Sequence, residues 1–277
     1  MLPGALGVRL GMQIPDLYQQ GEQMALLSRA VKDQRGASCC ILPFCHTVEA
    51  EALGGSVQYG DERSGPRSGP AVITSPDGLR ALPTPLLDEG RIHQVLLAAK
   101  MLADAGETVV LNLSGPLSIL NGLADFSLVL RTMKKEPQTM EKALCHIESM
   151  LLDYMEKAQD HGVQIISYAD PGGGVDILGQ RLALQMLRQF TYGFLKKADV
   201  RLKQDLLIML CPKTALALTD TGYGKWRDIP LKKEVSYIQA CRMLRGKVRF
   251  AGHLCAGTME GTLPGNRFRE LLLIPQK

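Results

Sequence analysis

Apolar residues along this chain follow two periods. Over residues 206–210, Leu206, Leu207, Ile208, Met209 and Leu210 run without a polar break and lead into Cys211-Pro212-Lys213. Such a run predicts a strand buried on both faces, ending where proline turns the backbone outward. Comparable runs predict strands at 39–44, 108–113, 163–168, 248–252 and 269–274, with weaker ones near residues 8 and 228. Between them the spacing is helical. The clearest case is 137–161, where Met140, Leu144, Ile147, Leu151, Tyr154 and Ala158 form one stripe and Gly162 supplies the stop. Shorter helical patterns cover 14–32, 45–54, 91–105, 117–133, 182–197, 214–218 and 234–244. The stretch from 56 to 85 is punctuated by glycine and proline and reads as inserted loops with a small hairpin.

Eight strands, mostly alternating with helices, predict a parallel sheet, and eight units favour closure into a (β/α)8 TIM barrel. The expectation is one barrel domain over 1–277, shortened at its N-terminus. An open doubly wound sheet is the alternative, but the three-glycine dinucleotide fingerprint after a first strand is missing.

The balance of charge narrows the partners. The net charge is +4 over 277 residues, and no lysine–arginine run is interleaved with aromatics, so nucleic acid is not expected as a partner. No apolar stretch is long enough to span a bilayer and no leader pattern opens the chain, which predicts no membrane partner and a cytoplasmic location. Seven cysteines, several in apolar or helical contexts, read as reduced thiols rather than a disulfide framework.

Candidate chemistry gathers at predicted strand ends. Cys211 follows one strand, and His253 and Cys255 follow another after Gly252, a set of soft and borderline donors suited to zinc. Asp170 ends a strand just before Gly172-Gly173-Gly174, either as a site carboxylate or as a turn-capping one. Cys39, Cys40, Cys45 and His46 form a second cluster, although adjacent strand residues 39 and 40 point to opposite faces.

Four motifs, in order, resemble one family. Pro43-Phe44-Cys45-His46-Thr47-Val48-Glu49-Ala50-Glu51-Ala52-Leu53-Gly54, Leu113-Ser114-Gly115-Pro116, Ile166-Ser167-Tyr168-Ala169-Asp170-Pro171 and Met209-Leu210-Cys211-Pro212-Lys213-Thr214 are similar to the uroporphyrinogen decarboxylase superfamily, and within it to the cobalamin-dependent methyltransferases. The resemblance implies a barrel holding zinc by a His-X-Cys pair and a distal cysteine. Cys211 and Cys255 match the two cysteines, whereas Met209 stands at the histidine position, so His253 is the expected substitute, with Glu49, Glu51 or water completing the set. The resemblance further implies methylcobamide carried by a partner corrinoid protein that docks at the barrel mouth, and a small-molecule methyl acceptor, a thiol or a folate. On that reading Asp170 and Glu49 position the acceptor or tune the zinc, and Tyr168 and Asn112 contact the cofactor. The alternatives are a non-catalytic paralogue that binds a corrinoid protein or small molecule, or a decarboxylase-like lyase. Against the lyase, the resemblance implies an arginine-rich N-terminal segment to grip a polycarboxylate, and the start of this chain has only Arg9 before a glutamine-rich helix, too few cationic forks for such a substrate.

Overall fold

A computed structural model describes residues 2–276. Its strands are β1 (Cys40–Leu42), β2 (Val57–Gln58), β3 (Arg67–Ser68), β4 (Val109–Ser114), β5 (Ile165–Ala169), β6 (Leu207–Leu210), β7 (Gly224–Pro230), β8 (Phe250–Ala251) and β9 (Arg267–Leu273). Seven of them make one sheet in the order β1-β4-β5-β6-β8-β9-β7, while β2 and β3 form the small hairpin expected in the loop-rich insertion. From β1 through β8 every neighbour is parallel. The last two strands break that rule, since β9 runs antiparallel to both β8 and β7. The architecture is a TIM-barrel-like α/β fold with a mostly parallel sheet.

Two expectations about strands are corrected. Residues near 8 are helical (Pro3–Arg9), because Pro3 sits in the first turn with its fixed backbone angle and needs no amide partner there. The strand near 228 exists, but its continuous seven-residue pairing with β9 makes it an antiparallel edge strand rather than the sixth member of a parallel barrel.

The parallel strands are buried on both faces, and their side chains divide with period two. Leu111, Leu113, Ile166, Tyr168, Ile208, Leu210 and Phe250 join the large core that includes the helix stripe Met140, Leu144, Ile147, Leu151, Tyr154 and Ala158. That stripe lies on the helix Pro137–Asp160, as the 3.6-residue spacing predicts. The alternate residues Val110, Ile165, Leu207, Met209 and Ala251 pack instead with Tyr237, Ile238 and Phe268. Leu151 is fully buried, and truncating it to alanine costs about 3 kcal/mol on the scale of core deletions.

Other helices differ from the sequence pattern where local chemistry intervenes. The helix expected over 117–133 is two, Pro116–Leu123 and Phe126–Lys135, because Asp125 between them accepts the backbone N–H of Ser127 at 2.7 Å and starts the second. The helix expected over 182–197 begins earlier, as Val175–Met186, and continues through a π-turn, Leu187–Thr191, into Tyr192–Arg201.

Because the strands are parallel, the segments that follow β1, β4, β5, β6 and β8 emerge at one end of the sheet. Among the described residues no strand pairs with the far edge of β1. The carbonyl of Ile41 there accepts the Ser28 hydroxyl at 3.0 Å, from the helix Gly21–Arg35. No helix among the described residues is long and apolar enough to cross a membrane.

Candidate functional site

The open edge of β1 leaves a cavity of about 840 Å³. It runs along the strand, from Ala37 and Cys39 before it to Phe44, Cys45 and His46 after it, and takes in Asn112 of β4, Ser167 and Ala169 from β5, and Cys255. This size and this mixture of apolar wall with a few polar groups is that of a small-molecule site. A second cavity of about 590 Å³ lies on the other side of Cys45 and His46, bounded by Thr47, Arg67, Ser118, Phe126 and Ile177. Cys45 and His46 therefore stand in the wall between two spaces.

Behind that wall lies a buried polar network. The side chain of Arg91, on the helix Gly90–Asp104, is only 3% exposed. Its Nε donates to Glu51 Oε2 at 2.5 Å, Nη1 to Cys45 Sγ at 3.2 Å and Nη2 to Thr47 Oγ1 at 2.6 Å. Burial works against the guanidinium charge, but Cys45 and Glu51 beside it reverse the balance and its pKa lies above the ordinary value. Tyr59 stacks over the guanidinium at 5.3 Å and donates its hydroxyl to Glu51 Oε1 at 2.8 Å.

Glu49, one of the expected site carboxylates, is 1% exposed. Its Oε1 accepts the backbone N–H of Ser114 at 2.9 Å, and Ser114 Oγ lies 3.4 Å from His46 Nδ1. Oε2 of Glu49 and the hydroxyl of Tyr154 are both buried without a hydrogen-bond partner. Burial, followed by the charge of Glu49, drives the Tyr154 phenol well above its ordinary pKa, with Arg91 pulling the other way.

Asp170 follows β5 and serves the capping role. Oδ1 accepts the N–H and the hydroxyl of Ser118 at 2.8 and 2.9 Å, and Oδ2 accepts the N–H of Leu117 at 3.3 Å. It thus caps the helix Pro116–Leu123, which sits beyond Gly115, where a Cβ would collide with Asp170. Burial raises the Asp170 pKa and the Ser118 hydrogen bonds only partly offset it. Tyr168 is fully buried against Phe194, its ring 5.5 Å away, and its hydroxyl has no partner. Both residues border a cavity of about 30 Å³ with Gly173, Gly174 and Lys213, room for one water. Asn112, by contrast, reaches the large cavity and donates its amide to the Pro43 carbonyl at 3.1 Å.

The three residues expected to hold zinc are dispersed. Cys211 is half-buried at the start of the helix Pro212–Asp220, its N–H bonded to the Tyr168 carbonyl at 2.9 Å. His253 lies between the rings of Tyr237 and Phe268, at 4.9 and 5.6 Å, and both its nitrogens are buried without a partner. Cys255 is exposed and faces the large cavity, which neither Cys211 nor His253 lines. Among the described residues no three His, Cys, Asp or Glu side chains gather as a metal site. As folded here the expected donors do not fit one zinc ion: His253 is packed between two aromatic rings, Cys255 lies at the surface of the large cavity, and Cys211 stands outside that cavity.

Sequence reasoning missed Arg91. The dense run Cys45-His46-Thr47-Val48-Glu49-Ala50-Glu51 carried the signal, yet its cation comes from a helix forty positions on, and a lone arginine at a helix start has nothing to mark it.

The family model described as uroporphyrinogen decarboxylase (URO-D) matches residues 1–262. Two relatives, both named methylcobamide:CoM methyltransferase MtaA and both from Methanosarcina barkeri, are 24% and 23% identical, covering 88% and 89% of this chain and 72% and 73% of their own length. A methylcobamide:CoM methyltransferase MtbA from Methanosarcina acetivorans is 25% identical over 61% of this chain and 50% of its own. A solved structure of a methyltransferase from Methanosarcina mazei matches with a TM-score of 0.66 at 24% identity, over 78% of this chain and 65% of that one. That likeness is one of fold.

Proposed function

The chain belongs to the uroporphyrinogen decarboxylase (URO-D) family, and on that premise we propose that it is a corrinoid-dependent methyltransferase. It takes a methyl group from a methylated corrinoid carried by a partner protein and passes it to a small thiol. The observation that carries this reading is the 840 Å³ cavity along β1, which takes in Asn112, Ser167 and Ala169 and reaches Cys45 and His46 after the strand, on the C-terminal side where enzymes of this fold place their chemistry. The names of the relatives, methylcobamide:CoM methyltransferases, support the donor and favour a thiol over a folate as acceptor.

In this proposal the corrinoid supplies an electrophilic methyl group when its carrier docks at the strand ends. The chain's own residues bind and orient the acceptor. Asn112 and Ser167 give the cavity wall fixed polar groups beside the apolar surface of Ile41 and Pro43. His46 is exposed at the junction of the two cavities, with Ser114 near Nδ1 fixing its ring, so it is the group placed to take the acceptor's proton. Glu49 acts through Ser114 and is a positioning residue. Asp170 fixes the β4–helix turn on which Ser114 and Gly115 sit. No step is assigned to zinc, since Cys211, His253 and Cys255 do not converge.

A second reading, a barrel that binds without catalysis, is favoured by Met209. Its thioether is 1% exposed and packed among Leu207, Tyr237 and Phe268, where a ligand histidine is expected from the resemblance. Incubation with methylcobalamin and a thiol separates the two readings: demethylation that needs both protein and thiol supports the enzyme, and binding without turnover supports the second reading.

A further inference from the structure

The smaller cavity, of about 590 Å³, is electrostatically one-sided. Among the described residues that bound it none is an aspartate or glutamate, and Arg67 is the only lysine or arginine. Arg67 stands exposed on β3 of the inserted hairpin. Its Nε donates to the neutral Gln58 Oε1 at 3.2 Å, and among the described residues no carboxylate pairs with it. Two further donors share this wall. The Ser68 hydroxyl and the Asn121 side-chain amide make no hydrogen bond among the described residues. Ser68 Oγ lies beside Gly122, the residue after Asn121, where a Cβ would come within 3.2 Å of it. A guanidinium, a hydroxyl and an amide with no carboxylate among them make a donor set for an oxyanion, and the planar fork of arginine matches two oxygens of one such group.

His46 borders the same cavity, at its junction with the larger one. The larger cavity has no free cation within reach of that histidine. Lys32 there is held by Glu107 at 2.8 Å. Arg35 ends the helix before β1 whereas His46 follows the strand, so the strand separates them, roughly 10 Å for Cys40–Leu42 alone. A short thiol with its sulfur at His46 therefore meets a cation by turning its tail into the smaller cavity.

We propose that the acceptor is an anionic thiol, and that Arg67, with Ser68 and Asn121, binds its anionic end while its sulfur lies at His46. This rests on the methyltransferase reading and makes Arg67 the residue that distinguishes charged thiols from neutral ones. The anionic end is remote from the reacting sulfur and is held equally before and during transfer. Its loss therefore changes the acceptor concentration required and leaves the maximal rate.

Coenzyme M and 2-mercaptoethanol share a two-carbon thiol and differ in a sulfonate against a hydroxyl, so the pair isolates the charge. Methyl transfer from methylcobalamin is measured with each thiol for wild type, Arg67→Gln and Arg63→Gln, the last removing a charge of the same hairpin outside the cavity. Wild type is expected to reach half-maximal rate at a coenzyme M concentration at least about tenfold below that of 2-mercaptoethanol. Arg67→Gln, an exposed change that strands no buried group, is expected to erase most of that preference with the maximal rate retained, and Arg63→Gln to keep the preference. No preference in wild type overturns the proposal, as does one that survives Arg67→Gln or is lost equally in Arg63→Gln. So does a rise confined to the methylcobalamin concentration needed, which puts the anion on the donor. Ethanesulfonate, which has no thiol, separates the anion site from the reading beneath it, and its binding is followed by calorimetry without a methyl donor. Binding to wild type that weakens about tenfold in Arg67→Gln upholds the site, and if neither thiol is then methylated it is the methyltransferase reading that falls. No binding to wild type, or equal binding to both proteins, overturns the site itself.

Discussion

Arg91 and Glu51 meet at 2.5 Å beneath the wall that separates the two cavities, with the guanidinium sealed from solvent and the carboxylate 28% exposed. The cation is the buried partner, so the asymmetry of the pair sets what its loss does.

Glu51→Leu leaves the Arg91 charge buried without a carboxylate, its hydrogen bonds reduced to Cys45 and Thr47 beneath the Tyr59 ring. A loss of about 3 kcal/mol is expected, at the low end for breaking a buried pair because Glu51 is partly hydrated. Urea unfolding of Glu51→Leu and wild type measures it. Replacing Arg91 together with Glu51 by apolar residues is expected to cost less than Glu51→Leu alone, since no charge is then stranded.

The contrast between this network and the zinc expectation shows what a sequence makes legible. Helix Pro137–Asp160 and strands β4, β5 and β6 follow from local periodicity, because burial on a fixed face leaves a pattern in neighbouring residues. The pairing of β9 with β7 is long-range and leaves no such trace, so β7 read as one more parallel strand. His253 and Cys255 are two apart in sequence, and extended geometry puts them on one side. The turn after β8 instead sends His253 among Tyr237 and Phe268 and leaves Cys255 at the surface. Strand ends are therefore readable as a region, whereas which side chains converge there depends on packing from elsewhere.

Asp170 gives a pH signature. Its folded pKa is raised by burial, so the folded protein holds that proton more tightly than the unfolded chain. The associated stability is fully present below the ordinary aspartate value of about 3.9 and is lost as pH rises through the raised folded value. Asp170→Asn cannot titrate, and the difference in unfolding free energy between wild type and variant is expected to vary with pH only across that window. A flat difference there contradicts the burial of a titrating carboxyl at this position.

His253 has unpartnered nitrogens in an aromatic setting, so His253→Phe is expected to hold or raise stability by about 1 kcal/mol, as removing unsatisfied buried polar atoms does. Zinc content of the same pair, purified anaerobically, is expected to be unchanged by the substitution. Loss of stoichiometric zinc in His253→Phe contradicts the placement of this ring between Tyr237 and Phe268.

His46 is argued to take the acceptor's proton. His46→Gln is expected to lower the transfer rate by about a hundredfold, the lower range for a general base, with acceptor binding little changed. A rise in the thiol concentration needed for half-maximal rate, with turnover preserved, points instead to a binding role.

Whether this chain transfers a corrinoid methyl group to a thiol is tested by anaerobic demethylation of methylcobalamin by the purified protein with coenzyme M, followed by the change in corrinoid absorbance and by the methylated thiol formed. Protein-dependent methyl transfer to the thiol that falls in His46→Gln is expected. No transfer to coenzyme M from a folded protein, with free methylcobalamin or with a methylated corrinoid protein as donor, contradicts it.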